Sequence, residues 1–192
     1  MTKHCYYFNI ILIFVFIFLL NSCIISIPYN APDIQQNPNA TRSIYIKGIV
    51  LNIMEDYGPK MSIESKKAGF RTFWPYTNID GPTYVKTIIE QTAAELGFNV
   101  LTNESQIKDK TYVFDLEVRK VVTWDEAYYG FFRIHSDIAA MLKNIKNGNE
   151  EDLNEFYHVL ALYSTHSVMY DILKKATERF KEKVKAYLKT LQ

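Results

Sequence analysis

Residues 111–124 read TYVFDLEVRKVVTW, and the alternation within them decides the fold class. Tyr112, Phe114, Leu116, Val118, Val122 and Trp124 fall on one side, interrupted by Lys120, while Asp115, Glu117 and Arg119 fall on the other. A period of two with one apolar and one charged side marks a strand that is buried on one face and wet on the other. Antiparallel sheets are built from such strands. Residues 131–142 repeat the pattern, with Phe132, Ile134, Ile138, Ala140 and Leu142 against Arg133, His135 and Asp137. The second half of that run, IAAML at 138–142, suits a helix equally well.

Upstream, SIYIKGIVL at 43–51 is rich in β-branched and aromatic residues and predicts a first strand. Residues 82–96 predict a helix: Pro82 suits its first turn, Asp80 or Gly81 can cap it, and Gly97 supplies a left-handed stop. Tyr84, Val85, Ile88, Ile89, Ala93 and Leu96 then share one face, and residues 98–101 return as a short strand. Residues 52–82 read as a long irregular connection with turn marks at Gly58-Pro59 and Gly81-Pro82. A connection of that length is unusual unless it is functional or hides a short hairpin. Downstream, Asn149 followed by Glu150, Glu151 and Asp152 predicts a helix to about residue 163, because acids suit the positive end of the helix dipole. A last helix follows from about 167 to 191, with a stripe of Met169, Ile172, Leu173, Ala176, Phe180, Val184, Tyr187 and Leu188. The expected fold class is α+β, with helices on one face of a mainly antiparallel sheet, in the order β-α-β-β-β-α-α.

The chain has 192 residues, 48% hydrophobic and 22% charged, which suits one folded domain. The first 22 residues contain Lys3 and no acid, so the remainder carries 21 basic against 21 acidic side chains. A neutral domain has, from its overall charge, no electrostatic reason to seek nucleic acid or an anionic membrane surface. Both cysteines, Cys5 and Cys23, fall in the first 23 residues, which leaves the domain without a disulfide framework or a cysteine-based metal site.

The N-terminus opens with Lys3 as its one fixed charge, followed by FNIILIFVFIFLL at 8–20 and Leu20-Asn21-Ser22-Cys23. The apolar run has signal-sequence length and falls short of the roughly 20 residues that cross about 30 Å of hydrocarbon. The four residues that follow resemble the lipobox of bacterial lipoproteins, with Asn21 where Ala or Ser is usual. The resemblance implies cleavage before Cys23 and acylation of its thiol, each buried CH₂ adding about 0.8 kcal/mol of anchoring. Residues 1–22 are then a signal peptide, 23–42 an Asn-, Pro- and Gln-rich tether, and 43–192 a single domain. Ile24, rather than Asp, after the cysteine resembles the pattern sorted to the outer membrane, facing the periplasm. The alternative is an uncleaved single span across residues 6–28. Both readings put Lys3 inside and the domain outside the cytoplasm.

The lipobox, the tether, a strand, a helix ending Glu95-Leu96-Gly97-Phe98-Asn99-Val100 and the strand at 111–124 together resemble the YajG-like and ABC-transporter-auxiliary envelope lipoproteins over residues 43–142. That resemblance implies a non-catalytic component that works by binding proteins or lipids, and it transfers no catalytic residue.

The chemistry-bearing residues support the same expectation. His135, His158 and His166 lack ligand spacing, no GxSxG elbow or phosphate-binding glycine pattern occurs, and no cofactor or metal is expected. Asp115 and Glu117 share a strand face, as solvated strands routinely allow. The densest aromatic segment supplies the candidate partner-binding residues Phe70, Arg71, Phe73, Trp74 and Tyr76, which either anchor a partner or complete the core. The expected function is a membrane-anchored, non-enzymatic binding or assembly component with an envelope protein or lipid as partner. The alternative is a transport accessory that holds a lipid or small apolar ligand between sheet and helices.

Overall fold

The structure, a computed structural model, describes residues 33–34, 37, 39–51, 60–67, 70–128 and 130–191; positions 50–51, 60–67, 70–80, 127–128 and 166 are described through their backbone. The apolar run, the lipobox with Cys23, and the tether as far as residue 32 lie outside the described residues.

The elements in chain order are β1 (Ser43–Leu51), β2 (Lys60–Lys67), β3 (Phe70–Asp80), α1 (Gly81–Glu95), β4 (Asn99–Val100), a 3₁₀ turn (Glu104–Gln106), β5 (Thr111–Tyr128), β6 (Phe131–Asn144), β7 (Glu150–Ala161) and α2 (His166–Lys189). The α+β class holds. The expected order does not, in two places. Residues 60–80 form the β2–β3 hairpin within what read as an irregular connection. Residues 150–161 form a strand where the acidic trio predicted a helix. There, Leu153 and Glu155 are buried and Tyr157, Val159 and Ala161 half-buried, alternating with exposed neighbours. The turn before it places Gly148 at φ 73°, a conformation that favours glycine. Pairing with β6 thus overrides the dipole argument, and Glu150 bonds Lys143 across the strands at 2.7 Å.

β5 is the axis of the sheet, which has seven strands among the described residues. β1 pairs with Thr111–Val118 along one edge of β5, and β2 takes over the same edge, in the same direction, from Val122 to Glu126. α1 carries the chain back so that β4 lies parallel to β1. β6 and β7 follow antiparallel beyond the other edge. The sheet is mixed rather than purely antiparallel: β1 and β2 run parallel to β5 and β4 parallel to β1, while the longer β5–β6 and β6–β7 ladders and the β2–β3 hairpin are antiparallel.

Both helices cover one face, as the sequence predicts. Val85, Ile88, Ile89 and Ala93 of α1 and Leu173, Ala176, Phe180, Val184 and Leu188 of α2 meet Phe114, Leu116, Val118, Ile138, Ala140 and Leu142 in one core. Each such large side chain contributes about 1.5–3 kcal/mol on burial. The Tyr84 hydroxyl and Thr177 Oγ1, 2.7 Å apart, tie α1 to α2. Gly97, at φ 84°, ends α1 as expected, and Thr165 caps α2 by accepting from the Val168 N–H at 3.4 Å.

β5 departs from regular pairing at one point. Val118 pairs with Ala140 but Lys120 pairs with Ala139, so Arg119 is an extra residue, a β-bulge. After it, Val121 joins the core beneath the helices, whereas Lys120 and Trp124 meet partners on the opposite face. The reading that put Val122 and Trp124 on the same side as Phe114 is corrected: a one-residue slip exchanges the faces of all later residues.

Candidate functional site

Because the bulge turns Trp124 away from the helices, an aromatic and histidine cluster forms on the outer face of β5, β6 and β7. Trp124 stacks on His135 with ring centroids 4.9 Å apart and an interplanar angle of 13°. Phe156 lies 6.0 Å from Trp124 and 5.5 Å from His135, and His158 lies 5.9 Å from His135. Lys120 places its ammonium 5.4 Å from the Trp124 ring centroid while pairing with Asp137 at 2.7 Å. Pairing register extends this row across five strands: Phe73 opposes Glu64, Glu64 opposes Trp124, Trp124 opposes His135, and His135 opposes His158.

The sequence candidates share a sheet with residues that the sequence did not single out. Phe70, Arg71, Phe73, Trp74 and Tyr76 all lie on β3, in the same sheet as the cluster, and their side chains lie outside what is described. Trp124, His135, Phe156 and His158 were missed as a group. Phe156 and His158 sat in the segment read as a helix, and Trp124 had been assigned to the opposite face. A strand reading of residues 150–161 would have put both on one side.

His135 is 6% exposed, and neither ring nitrogen finds a hydrogen-bond partner. Its Nε2 lies 3.4 Å from Glu126 Oε2, close enough for an ion pair if the ring is protonated. Burial holds the imidazole below the ordinary histidine value, Glu126 opposes that, and His158 and Arg133 add to it. The fold therefore favours the neutral ring. His135 contributes stability above about pH 6.5, and that contribution is lost as pH falls through its depressed folded value. Denaturant unfolding of the protein and of His135→Phe, at neutral pH and near pH 5, checks this. The parent should lose more stability on acidification than the variant, and equal losses would refute it.

On the helix side, the same inversion buries Asp125, 1% exposed, with both carboxylate oxygens lacking a hydrogen-bond partner. Beside it along the strand, Thr123 donates to Ser136 at 3.0 Å, both fully buried. An unsatisfied buried group costs about 1–3 kcal/mol or more, so Asp125 weakens the fold locally. The Asp115 and Glu117 pair does not converge on a cleft. Glu117 accepts from Arg119 at 2.9 Å, and Arg119 also donates to Asp152 at 2.6 Å, a structural ion network. Among the described residues no group of three His, Cys, Asp or Glu side chains could hold a metal ion. No described helix is long and apolar enough to cross a membrane.

The exposed end of β7 continues from the cluster. Phe156 is 51% exposed, Leu160 60%, Leu162 81% and Tyr163 63%. Among the described residues β7 pairs with β6 alone, so its other edge offers unpaired backbone groups.

No protein-family model matches the chain. No curated protein sequence matches it either. Solved structures do match in fold. A protein from Xanthomonas campestris, of the family DUF330, aligns with a TM-score of 0.52 at 11% identity, over 86% of this chain and 96% of that one. A second, described as an uncharacterized protein, aligns with a TM-score of 0.51 at 10% identity, over 88% and 99%. A lipoprotein from Neisseria meningitidis aligns at 12% identity over 73% and 99%, with a TM-score of 0.33 that bears no weight for fold or function. What the first two structures share with the chain is an architecture.

Proposed function

We propose that the chain is an envelope lipoprotein, cut before Cys23 and acylated there, whose domain is a non-catalytic binding or assembly component. The reading places it in the outer membrane, facing the periplasm. The observation that carries the binding role is the apolar end of β7 and the residues just after it: Phe156, beside the Trp124–His135 stack, and Leu160, Leu162 and Tyr163 all stay exposed. Exposed apolar side chains next to an open strand edge favour a protein partner that adds a strand or an apolar surface. The alternative, a lipid or small apolar ligand between sheet and helices, meets a space already filled by Leu173, Phe180 and Val184, all buried.

Photocrosslinking in cells tests the proposal. A photoreactive residue at Leu160 or Leu162 should give one discrete adduct, absent from Lys174, which is exposed on α2. Leu160→Asp should abolish the adduct at Leu162 and change stability by no more than about 0.5 kcal/mol, as exposed substitutions do. Crosslinks of equal yield at Leu160 and Lys174, or none at Leu160 or Leu162, would overturn the binding role.

A further inference from the structure

At the end of the domain where residues 41–42 enter β1, a cleft of about 490 Å³ opens between the start of β5 and the β6–β7 turn. Its lining holds Arg42, Lys110 and Lys146 and one acid, Asp109. None of these three cations has a carboxylate at ion-pair distance among the described residues, whereas Lys47, Lys86, Lys120, Lys143, Lys181 and Lys183 each sit 2.7–3.6 Å from one. Two of the three are held in place by backbone carbonyls instead. Lys146 donates to the Asp109 carbonyl at 2.9 Å, and the Arg42 guanidinium donates to the Leu191 carbonyl, which also accepts from the Tyr112 hydroxyl at 2.6 Å. Carbonyl contacts orient a cation without neutralising it, so the positive charge stays available to an anion.

We propose that this cleft binds the phosphate-bearing headgroup of an anionic phospholipid. A guanidinium and two ammonium groups suit a phosphate, which accepts several charge-assisted hydrogen bonds at once. The lipid source follows from position: the cleft lies at the root of the segment that leads back to Cys23, and so the choice of a lipid rests on the anchored reading above.

The test is the acylation rate of individual lysines, read by mass spectrometry on the full chain under limited amine-reactive labelling. Three conditions are compared: nanodiscs of phosphatidylcholine, nanodiscs that also contain phosphatidylglycerol, and phosphatidylcholine nanodiscs with added inorganic phosphate. Lys110 and Lys146 should label several-fold more slowly in the phosphatidylglycerol discs, with Lys174 and Lys175 on α2 unchanged. Lys110→Glu should return Lys146 to its phosphatidylcholine rate. Protection by inorganic phosphate without protection by phosphatidylglycerol overturns the lipid source. Equal rates in all three conditions overturn the site itself. Failure of anchoring reads out separately, as chain that does not remain with the discs, and leaves the inorganic phosphate comparison valid.

Discussion

Deleting Val121 will abolish cooperative unfolding, whereas deleting Arg119, two positions earlier, will leave a domain that folds. Arg119 is the additional residue between the Val118–Ala140 and Lys120–Ala139 pairs. Without it the ladder runs regularly, and every later residue of β5 keeps its face. The loss is confined to the bridge from Arg119 to Glu117 and Asp152. Removing Val121 offers two poor outcomes. Either the bulge resolves and Lys120 enters the core opposite Ile138, or the bulge persists and Trp124 turns beneath the helices. A lysine forced into that site without a partner costs on the order of 3–5 kcal/mol, a large part of a typical domain's stability. Circular dichroism with urea titration separates the two deletions, and comparable stabilities would show that the bulge does not set the faces of β5.

Phe180→Ala will destabilise the domain by about 3–5 kcal/mol, because it removes a fully buried ring from the centre of α2 and leaves a cavity against the sheet. Phe180 belongs to the core cluster shared by α1, α2 and the inner face of the sheet, so no one element can relax to close the space. Phe156→Ala is the internal comparison. That ring is 51% exposed on the outer face and should cost about 1 kcal/mol or less. A ratio near one between the two losses would contradict the assignment of inner and outer faces.

Much of the fold is legible in the residues where local signals and tertiary demands agree. α1 is bounded by Pro82 and Gly97, α2 shows its stripe from Met169 to Leu188, and β1, β5 and β6 carry strand patterns that the sheet uses. The misreadings share a cause. Glu150, Glu151 and Asp152 satisfy a helix-start rule, but the pairing of residues 150–161 with β6 is non-local and outweighs it. Lys60–Asp80 carries no simple alternation, and its hairpin is organised by the edge of β5 that β1 vacates after Leu51. The candidate site was hidden for a sharper reason. A bulge at Arg119 leaves no mark in a periodicity count, yet it moves Trp124 to the outer face beside His135 and draws Asp125 inward. The aromatic segment at 70–76 was visible from composition alone, while its alignment with Trp124 through Glu64 required the register.

The central claim, a chain anchored through Cys23, is tested most directly by the intact mass of the protein purified from its native membrane, beside a Cys23→Ala variant. The account predicts a mature chain that lacks residues 1–22 and carries added acyl mass, with both features lost in the variant. An unmodified chain that retains Met1 to Ser22 would contradict it.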